Sequence, residues 1–270
     1  MLKFVTRSLT GITSIFAVAA VIWVFAPLSQ MAYAGSTRTP WQNLTQSQLT
    51  AVWWQWALSI PVSDNPLFDA TGAKAYSGQP YSDLLFLGGT FIQTQLTNGN
   101  VVGKVTRSIS VKQGTAFFFP LVNTEVDNVC GTPHLGGNCF KVLPFPRPLG
   151  VPKLRTVAAA QEDPATGLSA TLTPTDSGFK PTGPTGNVGY ARLPSPPFSF
   201  TLPAIDNVDQ FFGITVSGTV APVVADGYYS FIPGTLAPGY YLLQFGGILP
   251  INNNMNTFTE IITYDITITP

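Results

Sequence analysis

Lys104-Val105-Thr106-Arg107-Ser108-Ile109-Ser110-Val111, then Lys112-Gln113-Gly114, then Thr115-Ala116-Phe117-Phe118-Phe119-Pro120-Leu121-Val122, is the stretch whose reading decides the fold. Its first part alternates apolar and polar residues with period two, the spacing of a strand with one wet face. Its last part is apolar without alternation, which predicts a strand buried on both faces. The Lys-Gln-Gly step reads as a turn, so the sequence predicts a hairpin whose second strand is central.

Working outward, Leu84 to Ile92 is an apolar run broken by Gly88-Gly89, and Tyr240 to Phe245 and Phe258 to Ile268 read as two further strands. In the last of these Phe258, Ile262, Tyr264, Ile266 and Ile268 alternate with threonines, giving one core face and one wet face. Thr45 to Ile60 carries the strong helical pattern. Leu49, Val52, Trp53, Trp56, Ala57 and Ile60 recur at spacings of three and four, Thr45 and Gln48 form a capping box, and Pro61 stops the helix. This pattern predicts a helix that docks its aromatic face on a sheet. Trp54 falls off the apolar stripe, and the alternative places it with Trp41 in an exposed aromatic platform for a sugar or another polymer.

Residues 143–203 hold half of the chain's 24 prolines. Proline removes ladder donors, so this segment reads as a surface excursion with a short helix near Leu154 to Glu162 and a strand near Leu168 to Leu172; a linker between two domains is the alternative. At the other end, Lys3 and Arg7 precede an apolar run from Gly11 to Leu28, and Ala32-Tyr33-Ala34 has the small-x-small pattern of a cleavage site. Residues 1–34 are therefore expected to be a signal peptide, with an uncleaved anchor as the rival. No later stretch is long and apolar enough to span a bilayer. The expected product is secreted or periplasmic, and 35–270 is expected to form a single domain. That domain is read as all-β, an antiparallel β-sandwich of jelly-roll or immunoglobulin-like kind with one N-terminal amphipathic helix.

A net charge of +0 with 10% charged residues leaves no basic stripe for nucleic acid and no highly charged disordered tail. Cys130 and Cys139 bracket a short Gly- and Pro-containing loop and in an oxidising compartment are expected to form a disulfide. Closing such a loop stabilises by about 2–3 kcal/mol in the chain-entropy model. A metal site using both thiols and His134 is the alternative reading. Because His134 is the only histidine, and no Gly-x-Ser-x-Gly elbow, P-loop or dinucleotide fingerprint is present, classical hydrolase, multi-histidine metal and nucleotide chemistries fall away.

Carboxylates remain. Glu125 and Asp127 follow the Phe-rich strand and are the candidate catalytic pair for glycosidic bond hydrolysis, one as acid and one as nucleophile or base; turn chemistry explains acidic residues there equally well. Asp206, Asn207 and Asp209 in one loop, or Asp64, Asn65 and Asp69 in another, offer the hard oxygen ligands of calcium, the one cofactor the sequence leaves open. Counting by twos puts Arg107 and Glu260 on the apolar faces of their strands. A lone buried charge is too costly to keep, so Arg107 is expected to meet a carboxylate, with Glu260 or Glu125 first in line; heads reaching water at a sheet end are the alternative.

A set of motifs in one order resembles a family of functionally unassigned secreted bacterial proteins. They are Trp53-Trp54-Gln55-Trp56-Ala57-Leu58-Ser59-Ile60-Pro61, Asn65-Pro66-Leu67, Asp69-Ala70-Thr71-Gly72, Leu85-Phe86-Leu87-Gly88-Gly89-Thr90-Phe91, Phe117-Phe118-Phe119-Pro120-Leu121-Val122-Asn123, Ser195-Pro196-Pro197-Phe198-Ser199-Phe200, Ala225-Asp226-Gly227-Tyr228-Tyr229 and Leu236-Ala237-Pro238-Gly239-Tyr240. The resemblance implies an exported all-β domain and implies no reaction. Family members carry cysteines near the positions of Lys74-Ala75-Tyr76 and Ser108, and often a histidine where this chain has Tyr240. A disulfide or histidine chemistry at those places is therefore not implied here. The leading expectation is a noncatalytic extracellular module that binds a polymer, a surface or another protein through Trp41 and Trp54. A carboxylate-dependent hydrolase of extracellular polysaccharide is the second, and a structural envelope protein the third.

Overall fold

The computed structural model describes residues 40–129, 148–175, 185–251 and 255–270. The expected signal peptide at 1–34 and the expected disulfide between Cys130 and Cys139 lie outside the described residues, as does His134. Arg38–Pro270 packs as one compact unit. Among the described residues no helix is long and apolar enough to cross a membrane.

In chain order the elements are α1 (Gln46–Ser59), β1 (Leu84–Phe86), β2 (Gln93–Gln95), β3 (Val101–Lys112), β4 (Ala116–Val126), α2 (Val151–Glu162), β5 (Thr166–Pro174), β6 (Gly186–Asn187), β7 (Tyr190–Arg192), β8 (Phe198–Leu202), α3 (Val208–Phe211), β9 (Gly218–Ile232), β10 (Gly239–Ile251) and β11 (Asn256–Thr269). Strand outweighs helix, 45% to 20%, so the expected all-β class holds. One sheet runs β1-β4-β9-β7 with β8 also on β9; the other runs β2-β3-β11-β10-β5-β6. Both sheets are mixed, because β1 pairs with β4 and β3 with β11 in parallel.

The expected hairpin between β3 and β4 does not form: the strands belong to different sheets. Val105, Ile109 and Val111 of β3 and Phe117, Phe119 and Leu121 of β4 share one buried cluster instead. Facing each other across the core, the two strands bury these apolar rows mutually, and each takes its ladder partners from the end of the chain, β11 and β9. The second face of β4 is also buried, as its sequence predicts, with Ala116 and Phe118 under α1 in a cluster with Trp53 and Trp56.

α1 starts at the predicted capping box, with Gln48 N–H donating to Thr45 Oγ1 at 3.2 Å and Thr45 N–H donating to Gln48 Oε1 at 2.8 Å. It is buried on more than the predicted stripe. Trp54 and Leu58 join Phe200, Leu202 and Val208 in the same cluster, because β8 and α3 cover the side expected to face water. The proline-rich segment supplies these covering strands. β5 pairs with β10 and both β7 and β8 pair with β9, while Pro196 and Pro197 stop just short of β8.

Between β1 and β2 the chain continues through the buried interior: Leu87 N–H still donates to Phe118 O of β4 at 3.1 Å, and from Gly88 to Thr90 no ladder bond follows among the described residues. Side chains take the place of a neighbouring strand. The Trp53 indole N–H donates to Leu87 O at 3.0 Å. Arg107 Nη1 donates to Gly88 O at 2.7 Å and to the Tyr264 hydroxyl at 2.9 Å, Nη2 donates to Gly89 O at 3.0 Å, and Nε donates to Asp69 O at 2.7 Å. Glu260 Oε1 accepts the Thr90 N–H at 2.8 Å. The expected ion pair of Arg107 with Glu260 is thus corrected: the two hold one loop from neighbouring strands of the same sheet and form no salt bridge, because carbonyl oxygens occupy the guanidinium fork.

A lysine in place of Arg107 keeps the charge and loses the fork. Arg107→Lys is expected to cost about 2–4 kcal/mol in urea unfolding, since at least two buried carbonyls lose their donor. A loss below about 1 kcal/mol would contradict the clamp.

Candidate functional site: an acid-lined cleft

The clamped loop forms one wall of a cleft. Gly89, Thr90, Phe91 and Gln93 line that side, with Leu67 beneath them. Trp53, Trp54 and Leu58 of α1 form the next wall, and Asn123, Thr124 and Glu125 of β4 supply the polar floor. Val208 and Asp209 of α3, with Phe212 beyond it, close the far side, and Phe258 and Glu260 of β11 complete the lining. Three carboxyl groups therefore face one space that has no lysine or arginine in its lining among the described residues.

Each acid is placed by its element. Glu125 lies at the end of β4 and Asp127 just beyond it, close enough for the two to act on each other. Burial pushes Asp127 well above the usual carboxylate range; the Val129 N–H and Glu125 pull it back, and Asp209 raises it again. Asp209 sits in the first turn of α3, and burial lifts it to about 6. Glu260 is raised to about 7 by burial, against the Thr90 N–H bond and the charge of Arg107. Its position needs Gly89, where an added Cβ would come 1.9 Å from Oε1. Behind the floor, Glu162 ends α2, is wholly buried, and rises to about 8, chiefly by desolvation. Thr124 faces Glu162, yet neither carboxylate oxygen completes a hydrogen bond. The nearby Arg192 pairs with Asp226 at 2.9 Å and Asp163 at 2.6 Å.

Glu125, Asp127, Asp209 and Glu260, reached in the sequence by separate arguments, thus meet in and beside one cleft. The expected Trp41 and Trp54 platform does not exist. Trp54 is 7% exposed and stacks edge-on against Trp53, while Trp41 donates its indole N–H to Asp83 and lies against Phe231 in a separate groove. The calcium loops are otherwise engaged as well. The Asn207 carboxamide caps α3 and donates to Pro203 O and Val216 O, and Asp206 accepts from Ser63 N–H. Asn65 caps a short turn, and Asp69 accepts three backbone N–H groups, from Thr71, Gly72 and Lys74. Among the described residues no group of three or more His, Cys, Asp or Glu is arranged to hold a metal.

The aromatic surface lies elsewhere. Phe68, Phe91, Phe211 and Phe212 form a ring cluster with centroid separations from 4.7 to 6.4 Å, and Phe211 is 57% exposed. Two of these rings, Phe91 and Phe212, also line the cleft, so the cluster is its rim. No periodicity in the sequence marks these rings as a surface. Compared with protein-family models, with curated proteins and with solved structures, the chain matches none.

The raised acids set the pH dependence of stability. Glu162 and Glu260 both have folded values above their ordinary 4.5, so their contribution is full below that pH and is lost as pH rises toward about 8 and about 7 respectively. Each pH unit in that window costs about 1.4 kcal/mol for each group. Asp69 works in the opposite direction, but only near and below its ordinary 3.8. Glu162→Gln is expected to raise Tm at about pH 8 and to flatten the decline from about pH 5. Parallel Tm profiles for the two proteins would contradict the burial of Glu162 as an acid.

Proposed function

We propose that the protein is an extracellular binding module whose cleft takes a unit of a hydroxyl-rich polymer, a carbohydrate in the first instance. The observation that carries this reading is the rim and floor together. Phenylalanine faces stand at the mouth, and behind them are Asn123, Gln93, Thr90 and the carboxyl groups. A sugar presents the same alternation of C–H faces and hydroxyl edges, and a pocket with apolar walls and a few convergent polar groups is the usual form of a ligand site. The leader-like N-terminus and the resemblance to exported proteins support placement outside the cytoplasm. We read the two sheets as a β-sandwich of the jelly-roll or immunoglobulin-like kind.

A second reading, hydrolysis of a glycosidic bond, is favoured by one observation. Glu125 and Asp209 both act on Asp127, and burial pushes Asp127 up to about 7. A protonated acid beside an ionised one is the inventory that reaction needs.

Both readings are tested with a panel of insoluble and soluble polysaccharides. The binding reading predicts retention on at least one glycan. It also predicts about tenfold weaker binding for Phe212→Ala and for the exposed Phe211→Ala, the latter with unchanged Tm. Absence of retention, or retention indifferent to both substitutions, would overturn it. Release of reducing ends that disappears in Glu125→Gln and Asp127→Asn would establish the second reading in addition.

A further inference from the structure

We infer that the ligand of this cleft carries a positive charge, an ammonium group on a hydroxyl-rich framework such as an amino sugar. The inference rests on the reading of the cleft as a carbohydrate site and narrows it.

The first support is charge complementarity. Glu125, Asp209 and Glu260 face the cleft from three elements, β4, α3 and β11, and among the described residues no basic side chain lines it. The nearest cation named by the electrostatics is Arg107, and its three nitrogens are bound to Asp69 O, Gly88 O, Gly89 O and Tyr264 behind the wall. The second support is independent of the acids' number. Glu260 is 8% exposed, its Oε1 accepts the Thr90 N–H, and its Oε2 has no hydrogen-bond donor among the described residues. An oxygen of a largely buried carboxyl group that opens on the cleft can accept a donor from whatever fills it, and an ammonium group supplies three. The third is the wall material. Phe91, Phe212 and Trp54 present rings around the acids, and aromatic rings attract an organic cation as well as the C–H faces of a sugar.

Binding such a ligand must release protons. In the empty cleft burial holds the acids partly neutral. The groups acting on them are Asp127 and Glu125 of β4, Asp209 of α3, Glu260 of β11, Arg107 of β3 and Glu162 of α2. An ammonium among these carboxyl groups favours their ionised forms, so the protons leave as the cation enters. Affinity therefore rises with pH as the cleft acids ionise and falls again once the ligand amine loses its own proton, giving a bell.

The test is isothermal titration of the protein with glucosamine tetramer and with cellotetraose, which share a β-1,4 backbone and differ in the amine. Titrations run in two buffers of different ionisation enthalpy and across pH. The expected result is about tenfold or greater preference for the glucosamine tetramer near neutral pH. Proton release and a bell-shaped profile should accompany it, and Asp209→Asn should reduce the preference about tenfold. Equal binding of both tetramers overturns the charge inference and leaves the carbohydrate reading standing. Cellotetraose binding better overturns it in the same way. If neither binds and the polysaccharide panel is also negative, the carbohydrate reading fails and takes this inference with it.

Discussion

The backbone from Gly88 to Thr90 runs through the interior beyond the last bond of the β1–β4 ladder, Leu87 N–H to Phe118 O, and its polar groups must still be satisfied. Trp53, Arg107, Tyr264 and Glu260 do this from three directions. Arg107 is the part for which no substitute is at hand, because a planar fork reaches Gly88 O and Gly89 O together while Nε reaches Asp69 O. This explains a fully buried guanidinium with no carboxylate in contact. Carbonyl dipoles, a phenol oxygen and the ring of Tyr264 at 5.5 Å stabilise its charge, and Glu260 adds a longer-range attraction. Since the clamped loop is a wall of the cleft, the geometry of the site is inherited from this interaction.

The acids of the cleft follow from the same architecture. β4 is buried on both faces along most of its length, so the carboxyl groups at its end emerge into a space already enclosed by α1, α3 and the loop. Desolvation dominates the upward shifts of Asp127, Asp209 and Glu260, and neighbouring groups only adjust them. Keeping several carboxyl groups protonated near neutrality sets stability against ionisation, with Glu162 as the strongest case. Natural proteins retain strain of this kind chiefly where a site uses it.

Much of the fold was legible in local pattern. The capping box placed α1, alternation placed β3 and β11, and the unbroken Phe run of β4 announced burial on both faces. What local pattern could not give was which strands sit side by side. A Lys-Gln-Gly turn serves a hairpin and a step between sheets equally well, and the choice is made by where β9 and β11, more than a hundred residues later, find their partners. The same holds for the site. Counting by twos put Arg107 and Glu260 inside, yet their partners are backbone carbonyls and an N–H, which carry no sequence signature. Trp54 looked exposed on its own helix because β8, from the proline-rich segment, and α3, which follows it, cover it from far along the chain. Phe211 and Phe212 had no pattern to mark them, since a rim is defined by what lies behind it.

The central claim is that the Gly88–Thr90 segment is held as firmly as a strand although no ladder bond reaches it among the described residues. Amide hydrogen exchange measures this directly. The Thr90 N–H, donated to Glu260, is expected to exchange as slowly as the amides at the centre of β4 and β11, through global unfolding. Exchange at the rate of the exposed Thr97–Asn98 turn would contradict the account, because the loop would then open without the fold and the cleft would have no fixed wall.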